Sequence, residues 1–112
     1  MIFAGDIPEG SKVRFMKANF DKLTNAASGA ATLTYNNAAT YPDLALLISC
    51  VGRKLILKSR IDEEVEAVNE VFGHQTLLSG FYSYGEISPL KNGGRCALHN
   101  QTMTITTFHE SE

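Results

Sequence analysis

The chain has 112 residues, of which 44% are hydrophobic and 20% are charged, and its formal net charge at pH 7 is -2. This size corresponds to a single domain, residues 1–112, with a hydrophobic core of its own. The small negative charge provides no basic surface for nucleic acid or an acidic membrane, and the longest apolar run, residues 44–51, is far shorter than the roughly 20 residues that span a bilayer. We therefore expect neither nucleic acid nor a membrane as a partner.

Cysteine content and the N-terminus indicate the cytoplasm. The two cysteines, Cys50 and Cys96, are too few for a disulfide framework. The first residues also lack a positively charged stretch followed by a long apolar one, so they are not a secretion signal.

The first elements in chain order are predicted to be short strands. In residues 12–17, Val13 and Phe15 lie on one side and Lys12, Arg14 and Met16 on the other, which is typical of a half-exposed strand. Residues 1–4 are apolar and are predicted to form a hairpin-like pair with this strand.

A helix is predicted next, beginning at Asn19, whose side chain can cap the first turn. Its contact face is rich in alanine, so it can lie close against a sheet. The two asparagines at positions 36–37 mark its expected end. The apolar residues that recur at helical spacing are Phe20, Leu23, Ala27, Ala30 and Ala31.

Residues 44–49 are apolar on both faces, which predicts a central strand covered on two sides. The following stretch, up to Phe72, has helical periodicity. Ser59 and Asp62 resemble a capping box inside it, so we expect a short helix followed by a longer one that Gly73 ends. The predicted apolar stripe consists of Leu57, Ile61, Val65, Val68 and Phe72.

Residues 77–87 are predicted to form one long strand. Gly80 and Gly85 inside it predict a bulge or a close approach of another backbone. Tyr82, Tyr84 and Glu86 share one face, a pattern that favours the wall of a polar pocket. With an amphipathic last strand, residues 102–108, the elements predict an α+β fold: a mostly antiparallel sheet of about five strands packed with two main helices.

Three residues at the turn after the central strand, and Glu86 from the strand over residues 77–87, are candidates for holding a polar ligand. Cys50 precedes a helix start, where a thiolate would be stabilised; the alternative is a small buried core residue. Gly52 and Arg53 can form an anion-binding turn for a carboxylate, although an ordinary surface arginine fits the pattern equally well. Glu86 can bind the amine of a ligand or pair with Arg53, or act as a structural carboxylate.

Further candidates lie in the second half of the chain. Tyr82 and Tyr84 can stack on a ligand and donate a hydroxyl, or belong to the core. His99 and Asn100 can fix a polar ligand, or close a turn. The spacing of Cys96 and His99 is only half of a zinc motif, so we expect no metal and no cofactor. The predicted ligand-binding set is Cys50, Gly52, Arg53, Tyr82, Tyr84, Glu86, His99 and Asn100.

Two alternatives to a binding module remain open. One is an enzyme that uses Cys50 as a nucleophile, His99 as the base and Glu86 to orient the imidazole, although no nucleophile-elbow motif accompanies the cysteine. The other is an interaction or dimerisation module, because open strand edges can pair with another chain, including a second copy.

Several runs together resemble the C-terminal domain of the FIST family. They are residues 46–53, 80–87 and 98–102, with residues 5–10 fitting the same pattern. The resemblance implies a cytoplasmic, non-catalytic sensory domain of signal transduction, with amino acids as the expected small-molecule ligands. Family members generally carry a further domain on the N-terminal side, so the resemblance implies that this chain is part of a longer two-domain protein. An N-terminal FIST domain or a downstream signalling protein is then the expected partner.

Overall fold

The fold is described by a computed structural model over residues 2–35, 40–91 and 93–111. The helices are α1 (Phe20–Tyr35), α2 (Val51–Leu57) and α3 (Ile61–Val71), with a short 3₁₀ turn, Lys58–Arg60, between the last two. The strands are β1 (Leu44–Cys50), β2 (Leu77–Ser83), β3 (Glu86–Ser88), β4 (Ala97–His99) and β5 (Met103–Phe108). Among the described residues, no helix is both long and apolar enough to cross a membrane.

The predicted α+β class and its count of about five strands are confirmed. β1 is the central strand of a three-stranded sheet, antiparallel to β5 and parallel to β2, while β3 and β4 form a separate antiparallel pair. The sheet is thus partly parallel. The chain between β1 and β2 contains α2 and α3, which carry it back to the end of the sheet where β1 began. Two neighbouring strands can run parallel only when such a long crossover connects them.

The core lies between one face of this sheet and the helices α1 and α3. Ala27 and Ala31 of α1 have no exposed surface, so the alanine-rich face packs closely as predicted. Each fully buried large side chain, such as that of Phe72, contributes roughly 1.5–3 kcal/mol relative to an exposed one. The buried residues of this cluster are Ala27, Ala31, Ala45, Leu47, Val68 and Phe72.

Two of the three predicted helix boundary signals on described residues are confirmed. The third, a capping box of Ser59 and Asp62, is wrong, because the N-cap residue of α3 is Arg60 and no side chain caps this helix. The Asn19 side chain accepts a hydrogen bond of 2.8 Å from the backbone amide of Lys22. Gly73 has a φ of +64° just after α3, the left-handed conformation that ends a helix. The expected end of α1 at positions 36–37 lies outside the described residues. In α3 the apolar stripe differs, because Val65 is 42% exposed whereas Glu64 is fully buried.

The prediction of one long strand over residues 77–87 is wrong, because the segment forms two strands. β2 ends at Ser83, the chain bends, and β3 joins the other sheet. The close backbone approach predicted for the glycines is found at Gly80, where a Cβ atom would overlap the carbonyl oxygen of Leu47 in β1. Tyr82 and Glu86 consequently belong to different sheets.

The predicted strand over residues 12–17 and its hairpin are also wrong. Residues 2–18 form no helix or strand, and the side chains of Val13 and Phe15 are 61% and 79% exposed. A two-stranded hairpin is marginally stable unless it packs on other structure, and this segment is not part of either sheet.

Candidate functional site

Some of the predicted site residues lie at the end of the sheet where the two parallel strands finish. Ser49 and Cys50 end β1, and their partners Tyr82 and Ser83 end β2 beside them. The backbone amide of Cys50 donates a 2.9 Å hydrogen bond to the carbonyl of Thr102, which brings the start of β5 to the same place. The carboxyl ends of parallel strands are where α/β sheets commonly hold ligands.

Arg53 forms a buried ion pair at this end of the sheet. Its side chain is 3% exposed and its Nε donates to Oε1 of Glu64, whose side chain is fully buried. Its Nη2 donates to the carbonyl of Leu23 in α1 at 2.6 Å, and its Nη1 donates to the carbonyl of Gln101 at 3.4 Å. The guanidinium therefore ties together α1, α3 and the segment before β5. Its carboxylate partner is Glu64 and not Glu86.

The Glu64 carboxylate also accepts hydrogen bonds from two hydroxyl groups of the sheet. Ser49 Oγ lies 3.2 and 3.3 Å from its two oxygens, and the Tyr82 hydroxyl lies 3.3 Å from Oε2. Burial raises the pKa of Tyr82 above its ordinary value, and the Glu64 charge raises it further. The hydroxyl thus keeps its proton and acts as a donor.

A cavity of about 270 Å³ adjoins this network on the side of β2 and α3. Its polar lining comes from Ser49, Glu64, Ser79 and Tyr82, and the rest of its wall is apolar apart from Gly80. Such a cavity suits a small molecule with a polar end and an apolar body. The other lining residues are Leu47, Val65, Leu78, Gly80, Phe81 and Met103.

Glu86 forms a second, separate polar cluster. Its side chain is buried, with 7% of the residue exposed. Ser83 Oγ donates to its Oε1 at 3.0 Å, and Thr102 Oγ1 donates to its Oε2. Ser83 and Thr102 both neighbour Cys50. Ser83 is its partner in the pairing of β1 with β2, and the carbonyl of Thr102 accepts a hydrogen bond from the Cys50 backbone amide. Glu86 is therefore held by residues that neighbour Cys50, and its partners differ from those of Arg53 and Glu64.

The remaining candidates are placed around these two networks. Cys50 is 3% exposed, caps the start of α2 and has its Sγ 3.9 Å from the carbonyl of Tyr84. A Cβ atom on Gly52 would lie 3.0 Å from the side chain of Gln101, so the turn packs tightly on the segment before β5. The side chain of Tyr84 is exposed to solvent, with 92% of the residue accessible.

His99 and Asn100 lie on the β3–β4 side. His99 pairs with Glu86 through the backbone register, but its ring Nε2 is 3.0 Å from the carbonyl of Ser88. Asn100 Nδ2 donates to the carbonyl of Ala4 at 3.1 Å. The His99 ring bonds the Ser88 carbonyl, and the Glu86 carboxylate bonds Ser83 and Thr102. These hydrogen bonds are not those of a catalytic triad in which His99 would bond both Cys50 and Glu86. In the part of the chain that the structure describes, no group of three or more histidine, cysteine or acidic residues is arranged to hold a metal.

Of the eight candidates, Tyr82 lines the cavity and Arg53 supports it through Glu64. Sequence reasoning missed Ser49 and Glu64 as site residues. A signal for Glu64 was present: it precedes Val68 and Phe72 at intervals of four residues, so a charged residue stands on the apolar stripe of α3.

Comparison with known proteins gives one match. The family model of the FIST C domain matches residues 1–89, which include Arg53, Tyr82 and Glu86 but not His99 and Asn100. No curated protein and no solved structure matches the chain significantly.

Proposed function

The chain belongs to the FIST C domain family, a family of sensory domains in signal transduction, and from this membership we propose that it binds a small polar ligand such as an amino acid in the cytoplasm. The family is not known for catalysis, in agreement with a binding role. The ligand signal would pass to an N-terminal FIST domain or to a downstream signalling protein.

The observation that carries the proposal is the cavity beside Glu64. Its volume of about 270 Å³ lies just below the range for drug-sized ligand sites, which is about 300–1,000 Å³. It therefore suits a molecule the size of an amino acid better than a nucleotide. The hydroxyl groups of Ser49 and Tyr82 and the Glu64 carboxylate offer partners for an amine, and the apolar wall offers a surface for a side chain.

Arg53 is the group that the proposal assigns to a ligand carboxylate. The guanidinium has hydrogen-bond donors enough for a bidentate contact, and two of its present partners are backbone carbonyls. A ligand carboxylate that replaces one of these carbonyls gains a charge-assisted bond. The other predicted ligand-binding residues lie outside the lining of the cavity, and their part in binding stays a prediction: Cys50, Gly52, Tyr84, Glu86, His99 and Asn100.

The same residue connects ligand binding to a change of state. Because Arg53 is bonded to α1, to α3 and to the segment before β5, a ligand that engages it alters the contacts of three elements at once. A ligand shifts a conformational equilibrium only through contacts that differ between the two states, and the Arg53 contacts provide such a difference.

Calorimetric titration of the chain with each standard amino acid tests the proposal. We expect saturable binding of at least one of them. Tyr82→Phe removes one hydrogen-bonding hydroxyl from the cavity, so we expect it to weaken that binding by about tenfold, the effect of about 1.4 kcal/mol. Tyr41→Phe is the matched control, because Tyr41 stacks on Tyr35 and does not line the cavity. This variant is expected to bind the ligand as tightly as the unaltered chain does. Absence of binding to every amino acid would overturn the ligand class.

A further inference from the structure

The N-terminal arm, residues 2–18, exposes a row of large apolar side chains. Val13, Phe15 and Met16 are 61%, 79% and 84% exposed, although they stand in a pattern typical of a strand. The radius of gyration of the chain is 15.2 Å, whereas a compact domain of this length has about 13 Å. The molecule is therefore elongated, and apolar surface of this kind marks a place where another protein surface packs.

β2 offers an open edge to such a strand. It is an outer strand of the three-stranded sheet, and its seven residues include no charged residue and no proline. Edge strands usually carry such residues because they prevent pairing with another chain. On the outer face of β2, Leu77 and Phe81 are 69% and 59% exposed.

The two faces of the arm match the two sides of this edge. In a strand over residues 12–17, one face carries Val13 and Phe15 and ends in Lys17, and the other carries Lys12 and Arg14 and ends in Met16. The outer face of β2 has Leu77 and Phe81 as its large side chains, with Ser79 between them. The opposite side is flanked by α3, where Val65 lines the cavity with β2 and the exposed Asp62 lies one helical turn before it. One alignment therefore places apolar residues against apolar residues and basic residues towards an acidic helix.

We propose that the arm of one copy adds as a strand to the β2 edge of a second copy, and that the exchange is mutual. In its own chain the arm runs from Ala4, whose carbonyl is bonded to Asn100, to the cap of α1 at Asn19, and it does not pair with β2. A mutual exchange uses the same two surfaces on each copy and closes on a two-fold axis. The added strand runs beside the cavity, because residues 78–82 of β2 line it.

Sedimentation equilibrium of the whole chain, without added ligand, tests this dimer. We expect a monomer–dimer equilibrium that weakens at high salt, because the Lys12 and Arg14 contacts are exposed and screened. Leu77→Lys places a charge on the β2 edge and is expected to abolish the dimer. Leu55→Lys on α2 is the matched control, since Leu55 is 70% exposed and Leu77 is 69% exposed, and it is expected to leave the dimer intact.

A second variant identifies the partner of that edge. Phe15→Asp changes only the arm, and we expect it to abolish the dimer while circular dichroism shows the fold unchanged. A chain that is monomeric at every concentration overturns the proposal. A dimer that Leu77→Lys abolishes and Phe15→Asp preserves also overturns it, because the β2 edges would then pair directly. Because the measurement involves no ligand, it stands or fails separately from the calorimetric titration.

Discussion

At the level of single residues, the pair of Arg53 and Glu64 dominates the candidate site. Both side chains are buried, and the carboxylate accepts further hydrogen bonds from Ser49 and Tyr82. A buried ion pair adds little net stability compared with apolar residues, but removal of one partner leaves an uncompensated charge in a poorly solvated place. The pair is therefore better suited to fixing the geometry of the site than to stabilising the fold.

Arg53→Met tests this view of the pair. We expect the free energy of unfolding to fall by about 3–5 kcal/mol, because the Glu64 carboxylate is left buried without its cation. Arg60→Met is the control: Arg60 and Glu63 form an exposed pair 2.6 Å apart, and its loss should change stability little. Urea unfolding followed by circular dichroism measures both. The double variant Arg53→Met, Glu64→Leu is expected to recover most of the loss, and a double variant as unstable as the single one would contradict the explanation.

Among the elements, the contact between β1 and β2 depends on a missing side chain. At Gly80 a Cβ atom would overlap the Leu47 carbonyl, so the two strands approach where no other residue fits. Gly29 in α1 differs in every relevant respect, since it is exposed and a Cβ atom there would meet nothing within 4 Å. The two glycines provide a matched pair for one substitution.

Gly80→Ala and Gly29→Ala are expected to change stability in opposite directions. The first forces β1 and β2 apart and should cost about 1–3 kcal/mol, as overpacking of a well-packed contact does. The second should stabilise the chain by about 0.5–1 kcal/mol, because alanine is the better helix former. Urea denaturation measures both changes in the free energy of unfolding, from the shift of the midpoint when the dependence on urea concentration is the same for all variants. Equal and small effects would mean that the strands do not approach closely at Gly80.

On the scale of the whole molecule, the arm and the folded body are separate parts. The buried hydrophobic residues begin at Leu23, so no residue of the arm belongs to the core. Where its described residues meet the body, the Asn100 side chain donates an exposed hydrogen bond to the Ala4 carbonyl, and Gly5 lies beside the exposed Leu98 side chain. Stability and self-association are therefore expected to respond differently to loss of the arm.

Removal of residues 1–17 tests that separation, since it leaves the Asn19 cap of α1 in place. At a protein concentration low enough for the unaltered chain to be monomeric, we expect the free energy of unfolding to stay within about 0.5 kcal/mol, as for surface changes. At high concentration, light scattering is expected to show a dimer for the unaltered chain alone. A large loss of stability in the monomer would show that the arm packs on its own body.

The amino-acid sequence was sufficient for the elements whose signals are local. The cap at Asn19, the alanine face of α1, the central strand β1 and the division of the second helical region all follow from residues a few positions apart. Backbone propensity and side-chain periodicity act over such distances, so these features could be predicted without knowledge of the rest of the chain.

Tertiary structure decided which distant groups meet. Arg53 is 11 residues from Glu64 and 30 from Leu23, yet it bonds both, and the two sheets separate Tyr82 from Glu86. Tertiary contacts also decided the parallel pairing of β1 with β2 and the position of the cavity. For the same reason residues 12–17, despite their strand pattern, form no strand in the chain. Such contacts depend on loop closure and on competition among many alternative partners, which residues close in the chain do not determine.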